Sequence, residues 1–231
     1  MPFVPMPLDL QTGFIAALLL LYVPFAAVRT SLRTQGRFGS SGAALRRRVV
    51  IPLIQLLGLT WFSGATHHVA LWTRPAGSPL AIAGLTLTTF ATVAFVQWLL
   101  WATRSDAERQ RMWVRRILPS PHEMPEWVAL ACLAGVAEEL GYRGFLFGVI
   151  GTACHSLWLG AILSAVSFGV AHFPQGTRGM IGIGVIALLL QALVWATGSL
   201  LPAMAVHAAA NTLSGLTARR RFPIAGEPRE S

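Results

Sequence analysis

Residues 137–147 read Ala-Glu-Glu-Leu-Gly-Tyr-Arg-Gly-Phe-Leu-Phe. They place two carboxylates and a guanidinium inside a segment, 127–150, that is otherwise apolar enough and long enough to cross a bilayer. At the centre of such a helix a Glu or Arg costs roughly 2.5 to 3.5 kcal/mol, so the three together cost on the order of 8 to 10 kcal/mol. The ten Leu, Val, Ile and Phe residues of the segment return only about 3 to 6 kcal/mol. The segment inserts poorly alone and needs neighbouring helices that supply polar partners. An intramembrane cluster of this kind is by default a functional site.

Helical spacing separates the two acids. Glu139 and Arg143 are four apart and share a face, whereas Glu138, five from Arg143, points about 140° away from it. Arg143 is expected to hold Glu139 as an ion pair, which leaves Glu138 as the candidate reactive carboxylate and general base. The competing reading, a charge-neutralising lock between helices, does not need the second, unpaired glutamate.

Composition sets the rest of the chain in a membrane. Of 231 residues, 54% are hydrophobic and 12% charged, with a mean hydropathy of +0.59, too apolar for an ordinary soluble domain. All 18 basic residues are arginine and the net charge is +9. That balance would raise nucleic-acid binding in a soluble protein. Here the arginines fall between the apolar runs, where the positive-inside rule accounts for them, and no nucleic-acid partner is expected. Cys132 and Cys154 are the only cysteines, so neither a disulfide framework nor a Cys-based metal site is suggested.

Taken in order, the apolar runs predict an all-α, polytopic transmembrane helical bundle of about seven spans: 11–28, 49–66, 80–102, 127–150, 157–173, 179–196 and 199–216. Residues 1–10 lack the basic n-region of a secretory signal, so the first run reads as a retained span with an outside N-terminus. Sixteen of the 18 arginines lie in the connections and tail assigned to the cytoplasm, Arg74 lies outside and Arg143 within the membrane. The bias predicts seven crossings of the cell membrane and a cytoplasmic C-terminus. Residues 106–117 read as a short amphipathic helix on the inner leaflet, His67 and His68 as interfacial residues, and 222–231 as a disordered tail. Gly144 and Gly148 suit close helix packing in the fourth span. Three regions follow: 1–125 with three spans and basic loops, a four-span core at 126–217, and a short tail at 218–231.

Few other polar groups lie within the spans. The fifth carries Phe168 and His172 one turn apart, with Ser164 a turn earlier; the seventh carries His207 and Asn211 on one face. Glu138 lies about 16 Å along its helix from Trp127, deeper than His172 is expected to be.

Glu138-Glu139-Leu140-Gly141-Tyr142-Arg143, then Phe168-Gly-Val-Ala-His172, then His207-Ala-Ala-Ala-Asn211 resemble, in order, the EExxxR, FxxxH and HxxxN motifs of the CPBP family. That family groups CAAX prenyl endopeptidases of the Rce type with bacteriocin-processing and self-immunity (Abi) proteins. The resemblance covers roughly residues 126–216. It implies an intramembrane endopeptidase, open to the cytoplasmic side, that acts on a membrane-associated peptide or membrane-anchored protein. Carried over, Glu138 would activate water with His172 beside it, His207 and Asn211 would bind the oxyanion, and Glu139 with Arg143 would hold the site in shape. Such a site meets the chemical need: a base for water, and donors for the developing charge in a water-poor setting.

The resemblance leaves the cofactor as none or zinc, with Glu138, His172 and His207 as the ligand set if zinc is used. The HExxH helix of soluble zinc proteases is absent, and metal-free catalysis is the preferred expectation. A non-catalytic immunity or scaffold protein of the same fold is the alternative, against which the intact motifs speak. A transporter with proton-relaying Glu and His would call for two similar halves with broken helices, which the sequence does not show. No serine stands in a Gly-framed nucleophile context.

Overall fold

The computed structural model describes residues 6–34, 42–67, 73–105 and 123–221. Among them there is no strand, and seven helical rods follow one another. The first is α1 (Leu10–Ala17), a π-helical segment π1 (Leu18–Tyr22) and α2 (Val23–Thr34) in one continuous run; then come α3 (Gly42–Thr66) and α4 (Pro79–Ala102). The fourth rod joins α5 (Met124–Glu139), a second π segment π2 (Leu140–Leu146) and α6 (Phe147–Ala153). The fifth is α7 (Leu157–Ala171) with a 3-10 turn at Phe173–Gln175, the sixth α8 (Thr177–Thr197), and the seventh α9 (Leu201–Arg221). Each of the first six contains one of the predicted apolar runs, and the seventh starts two residues into its run at 199–216. The amphipathic helix expected at 106–117, His68 and the tail at 222–231 lie outside the described residues.

Local chemistry sets the ends. Asp9 caps α1 by accepting the Thr12 N–H at 2.9 Å, and Thr12 returns its hydroxyl to the Asp9 backbone N–H in a capping box. The Thr12 N–H beside Asp9 holds its carboxyl below the usual carboxylate range. Ser78 and Ser156 cap α4 and α7 in the same manner. Gly176, at φ 84°, makes the turn into α8.

Contacts between rods sort their ends into two groups. At one end Arg46 pairs with Glu123 and with Glu126, Arg104 donates to the Gln175 carbonyl, and Arg178 donates to the Thr103 carbonyl at 3.0 Å. At the other, the Met6 N–H meets Thr152, Gln11 meets Thr66, Asp9 lies 3.1 Å from His67, and Thr73 bonds Gly198 and Ser199. Successive rods therefore run in opposite directions, and Arg46, Arg104 and Arg178 lie at one end of the bundle, the arginine-rich end.

Apolar side chains face outward as well as inward: Leu87, Phe95 and Trp98 of α4 and Trp158, Ile162 and Val166 of α7 are exposed on the bundle surface. A bundle apolar on its outside while burying Glu139, Arg143 and Gln191 is the arrangement lipid favours. Four helical stretches, Leu10–Arg33, Arg48–Thr66, Pro79–Ala102 and Thr177–Thr197, are long and apolar enough to cross a membrane. The fourth and seventh rods are not among them. The reason is physical: the ionisable residues of 126–143, and in α9 Pro202, His207, Asn211, Thr212, Ser214 and Thr217, lower their apolar character. At 15 residues, α7 is about 22 Å long, short of the roughly 30 Å hydrocarbon layer.

The shortness of α7 removes the expected mismatch in depth. Measured from the turn between α6 and α7, Glu138 and His172 each lie about 21 to 22 Å along their rods, because α7 stops at Ala171 with His172 as its C-cap.

Candidate active site

The fourth and seventh rods make the most intimate pairing around the glutamates. A Cβ placed on Gly135 would lie 3.0 Å from the Ala208 backbone nitrogen and 3.0 Å from the Met204 carbonyl oxygen, so only glycine lets α5 and α9 approach this closely. Glu138 and Glu139 follow one turn later on α5, while His207 lies between Met204 and Ala208 on α9. Near the arginine-rich end the Trp127 indole rests over Gly215 and donates to the Asn211 backbone carbonyl at 3.1 Å.

His207 touches both acids. Its Nδ1 is 2.7 Å from Glu139 Oε1 and its Nε2 is 3.5 Å from Glu138 Oε2. A carboxylate can only accept, so Nδ1 donates; this fixes the ring and turns Nε2 toward Glu138. Glu139 is completely buried and Glu138 only partly so. Arg143 Nη1 also lies 3.1 Å from Glu139 Oε1, the ion pair the i, i+4 spacing predicts. The separation of the two glutamates by Arg143 therefore stands, but α-helical spacing did not reveal that one imidazole would meet both.

Phe168 is the ring on which this set is stacked. The Arg143 guanidinium carbon sits 4.4 Å from its centroid, a cation–π contact worth about 2 kcal/mol when desolvated. Tyr142 packs on Phe168 edge-on at 4.8 Å, His172 lies 4.6 Å away, and His207 lies 6.2 Å away on the remaining side. The signal for this role was the position of Phe168 one turn before His172; its charge-facing function needed the third dimension. Buried Tyr142 went unremarked in the sequence for the same reason.

Of the six residues singled out from the sequence, Glu138, Glu139, Arg143 and His207 are linked by contacts: His207 meets both glutamates and Arg143 meets Glu139. His172 folds back along α7, with Nδ1 2.8 Å from its own Phe168 carbonyl, and reaches the others through the Phe168 ring. Asn211 lies one turn beyond His207, half-buried. Among the described residues no three His, Cys, Asp or Glu side chains gather closely enough to hold a metal ion. Glu138, His172 and His207 do not gather as a zinc site here, although the Nδ1 bonds of His172 to a carbonyl and of His207 to Glu139 leave Nε2 of each ring open.

Residues 120–213 match the family described as type II CAAX prenyl endopeptidase Rce1-like. The chain carries an Rce1-like domain. The match begins ahead of α5, ends within α9 and includes all six candidate residues; the first three rods lie outside it. Searches of curated proteins and of solved structures each return no match. The Rce1-like family is a protease family of the CAAX type, and with its apolar helices the chain is a membrane protein. What the Rce1-like domain presents is a carboxylate, Glu138, facing an imidazole that a second, buried carboxylate orients.

Proposed function

We propose that the protein is an intramembrane endopeptidase that hydrolyses a peptide bond of a membrane-associated peptide or membrane-anchored protein. Glu138 takes a proton from the attacking water, and the peptide carbon receives the hydroxide. His207 and Asn211 donate to the oxyanion as it forms, and His172 lines the water side. The intermediate then collapses: its C–N bond breaks as Glu138 returns the proton to the leaving amine, and the carbonyl re-forms as a carboxylic acid. Glu139 and Arg143 touch neither water nor substrate; they orient His207 and balance charge. The observation that carries this reading is the His207 imidazole held by Glu139 with its free nitrogen turned to Glu138. With protons on both nitrogens, an imidazole so restrained gives an Nε2–H donor already aimed at developing charge, the largest contribution in many hydrolytic sites.

The chain is taken to cross the cell membrane seven times, with the N-terminus outside and the arginine-rich end, including the C-terminus, in the cytoplasm. The 30-residue fourth rod, about 45 Å long, supports a crossing despite its charges, because its acids and arginine are paired within the bundle. No metal enters the proposed reaction; the missing HExxH helix supports that choice.

Glu138→Gln keeps size and hydrogen bonding but cannot serve as a base. In cells carrying this variant the new membrane-protein termini made by the wild type should disappear, while the variant inserts and melts as the wild type does. Identical sets of termini would end the protease reading. Purified wild type should also cleave at an unchanged rate after chelator treatment; a loss restored by zinc would reassign His172 and His207 as ligands.

A further inference from the structure

Most threonine hydroxyls in the rods bond locally. Thr60, Thr86, Thr92, Thr152, Thr197 and Thr212 donate to the carbonyl four residues back in their own helix, the habitual local bond of a hydroxyl in a helix. Ser164 and Ser167 on α7 do otherwise. Ser164 Oγ donates to the Tyr142 carbonyl at 2.6 Å and Ser167 Oγ to the Leu19 carbonyl at 2.7 Å. Both serines are buried, and each acceptor belongs to a different π segment: Tyr142 to π2, Leu19 to π1.

A π segment shifts the bonding pattern from i+4 to i+5 and recurs at functional positions. In π2 the Phe147 N–H reaches back five residues to the Tyr142 carbonyl, and the Ser164 hydroxyl takes the second lone pair of that oxygen. Tyr142 stands between Glu139 and Arg143. Phe168, one turn after Ser164 on the same α7 face, supports the Arg143 guanidinium. A single face of α7 thus holds both the backbone and the charge of the segment that orients His207.

We propose that Ser164 and Ser167 are positioning residues: Ser164 holds π2 in the i+5 register that sets Glu139 and Arg143 against His207, and Ser167 ties the first rod to the same helix. The role rests on the reading of Glu138 and His207 as the reacting groups. It makes the first rod, which lies outside the Rce1-like match, a structural part of the site.

The chain has two tyrosines, Tyr22 and Tyr142. Tyr22→Phe in the full-length protein therefore leaves the Tyr142 carbonyl as the only site labelled by 13C=18O tyrosine. In lipid bilayers the labelled amide I band should move to higher wavenumber in Ser164→Ala and move less in Ser164→Cys, which keeps a weak donor. In 15N-histidine protein, with His207→Asn to assign the resonance, the His207 Nδ1 signal should shift in Ser164→Ala as Glu139 moves from it. An unmoved carbonyl band in both Ser164 variants overturns the clasp. A moved band with an unmoved His207 signal overturns the positioning role and leaves Ser164 as packing. Neither readout needs turnover, so these results stand apart from the protease test: an inactive wild type that shows both shifts refutes the reaction and keeps the clasp.

Discussion

Gly135→Ala tests whether the closeness of α5 to α9 makes the site. The added Cβ would stand 3.0 Å from the Ala208 nitrogen and the Met204 oxygen and 3.1 Å from the Ala208 Cβ. Two of those neighbours are backbone atoms and cannot rotate away, so the rods must part by a few tenths of an ångström. His207 is carried by the turn that is pushed. Its 2.7 Å contact with Glu139 and 3.5 Å approach to Glu138 should lengthen together. Overpacking of this kind costs about 1 to 3 kcal/mol, and at roughly 2 to 4 °C per kcal/mol for a chain of this size the melting temperature in detergent should fall by roughly 2 to 12 °C. Cleavage of the substrate found by terminus profiling should fall further than stability does, since misplacement of about 1 Å can cost on the order of a hundredfold. Gly58→Ala and Gly84→Ala provide the comparison, because a Cβ at either meets nothing within 4 Å and alanine is favoured in helix interiors by roughly 0.5 to 1 kcal/mol. Should Gly135→Ala melt with these two, the close approach does not hold the site together.

Removing either partner of the buried Glu139–Arg143 pair strands a charge, so Glu139→Ala and Arg143→Ala should each lose roughly 3 to 5 kcal/mol in detergent melting. The double variant Glu139→Gln, Arg143→Met should lose less than their sum, as coupled sites do. Trp127→Phe keeps a ring over Gly215 and loses the bond to the Asn211 carbonyl; a loss of about 1 kcal/mol is expected. Gly215→Ala, whose Cβ would collide with the Trp127 indole nitrogen, should melt lower than Trp127→Phe. At the other end of the bundle, the Asp9 carboxyl is held below its ordinary value of 3.8, chiefly by the Thr12 N–H. Its stabilisation is fully present above the unfolded-state value and is lost as pH falls through the lower folded-state value, so an acid melt series should show a decline in that window that Asp9→Asn abolishes.

Seven rods and their alternation were legible because apolar length and arginine placement are one-dimensional properties. Boundaries were less so: α3 begins at Gly42, well before the apolar run at Val49, and α7 ends at Ala171 rather than Phe173, since helices extend past lipid and a C-cap depends on the turn that follows. The Glu139–Arg143 pair was legible because residues four apart meet on any helix. The contacts of His207 with both glutamates, the stacking of Arg143 on Phe168 and the two serine bonds all cross between rods. Spacing within one helix carries no trace of them.

The π segment at 140–146 shows why such features escape pattern reading and why they belong at a site. A rotation of 100° per residue assigns Glu138 a direction only if every bond in the rod is i+4. The i+5 bond at Phe147 changes the relation of everything after Tyr142 to everything before it, so the face holding Phe145 and Leu146 in the core is not the one an uninterrupted helix would present. Without a partner, the Tyr142 oxygen bound only by its i+5 amide would give little reason to keep the wider turn over the α-helix. The Ser164 hydroxyl supplies that reason from another rod. The rod that lipid would accept least readily by itself is thus the one whose polar groups and irregular backbone are both answered by neighbours, Arg143 by Phe168 and Tyr142 by Ser164. Its insertion, its register and its chemistry depend on the same helix, α7.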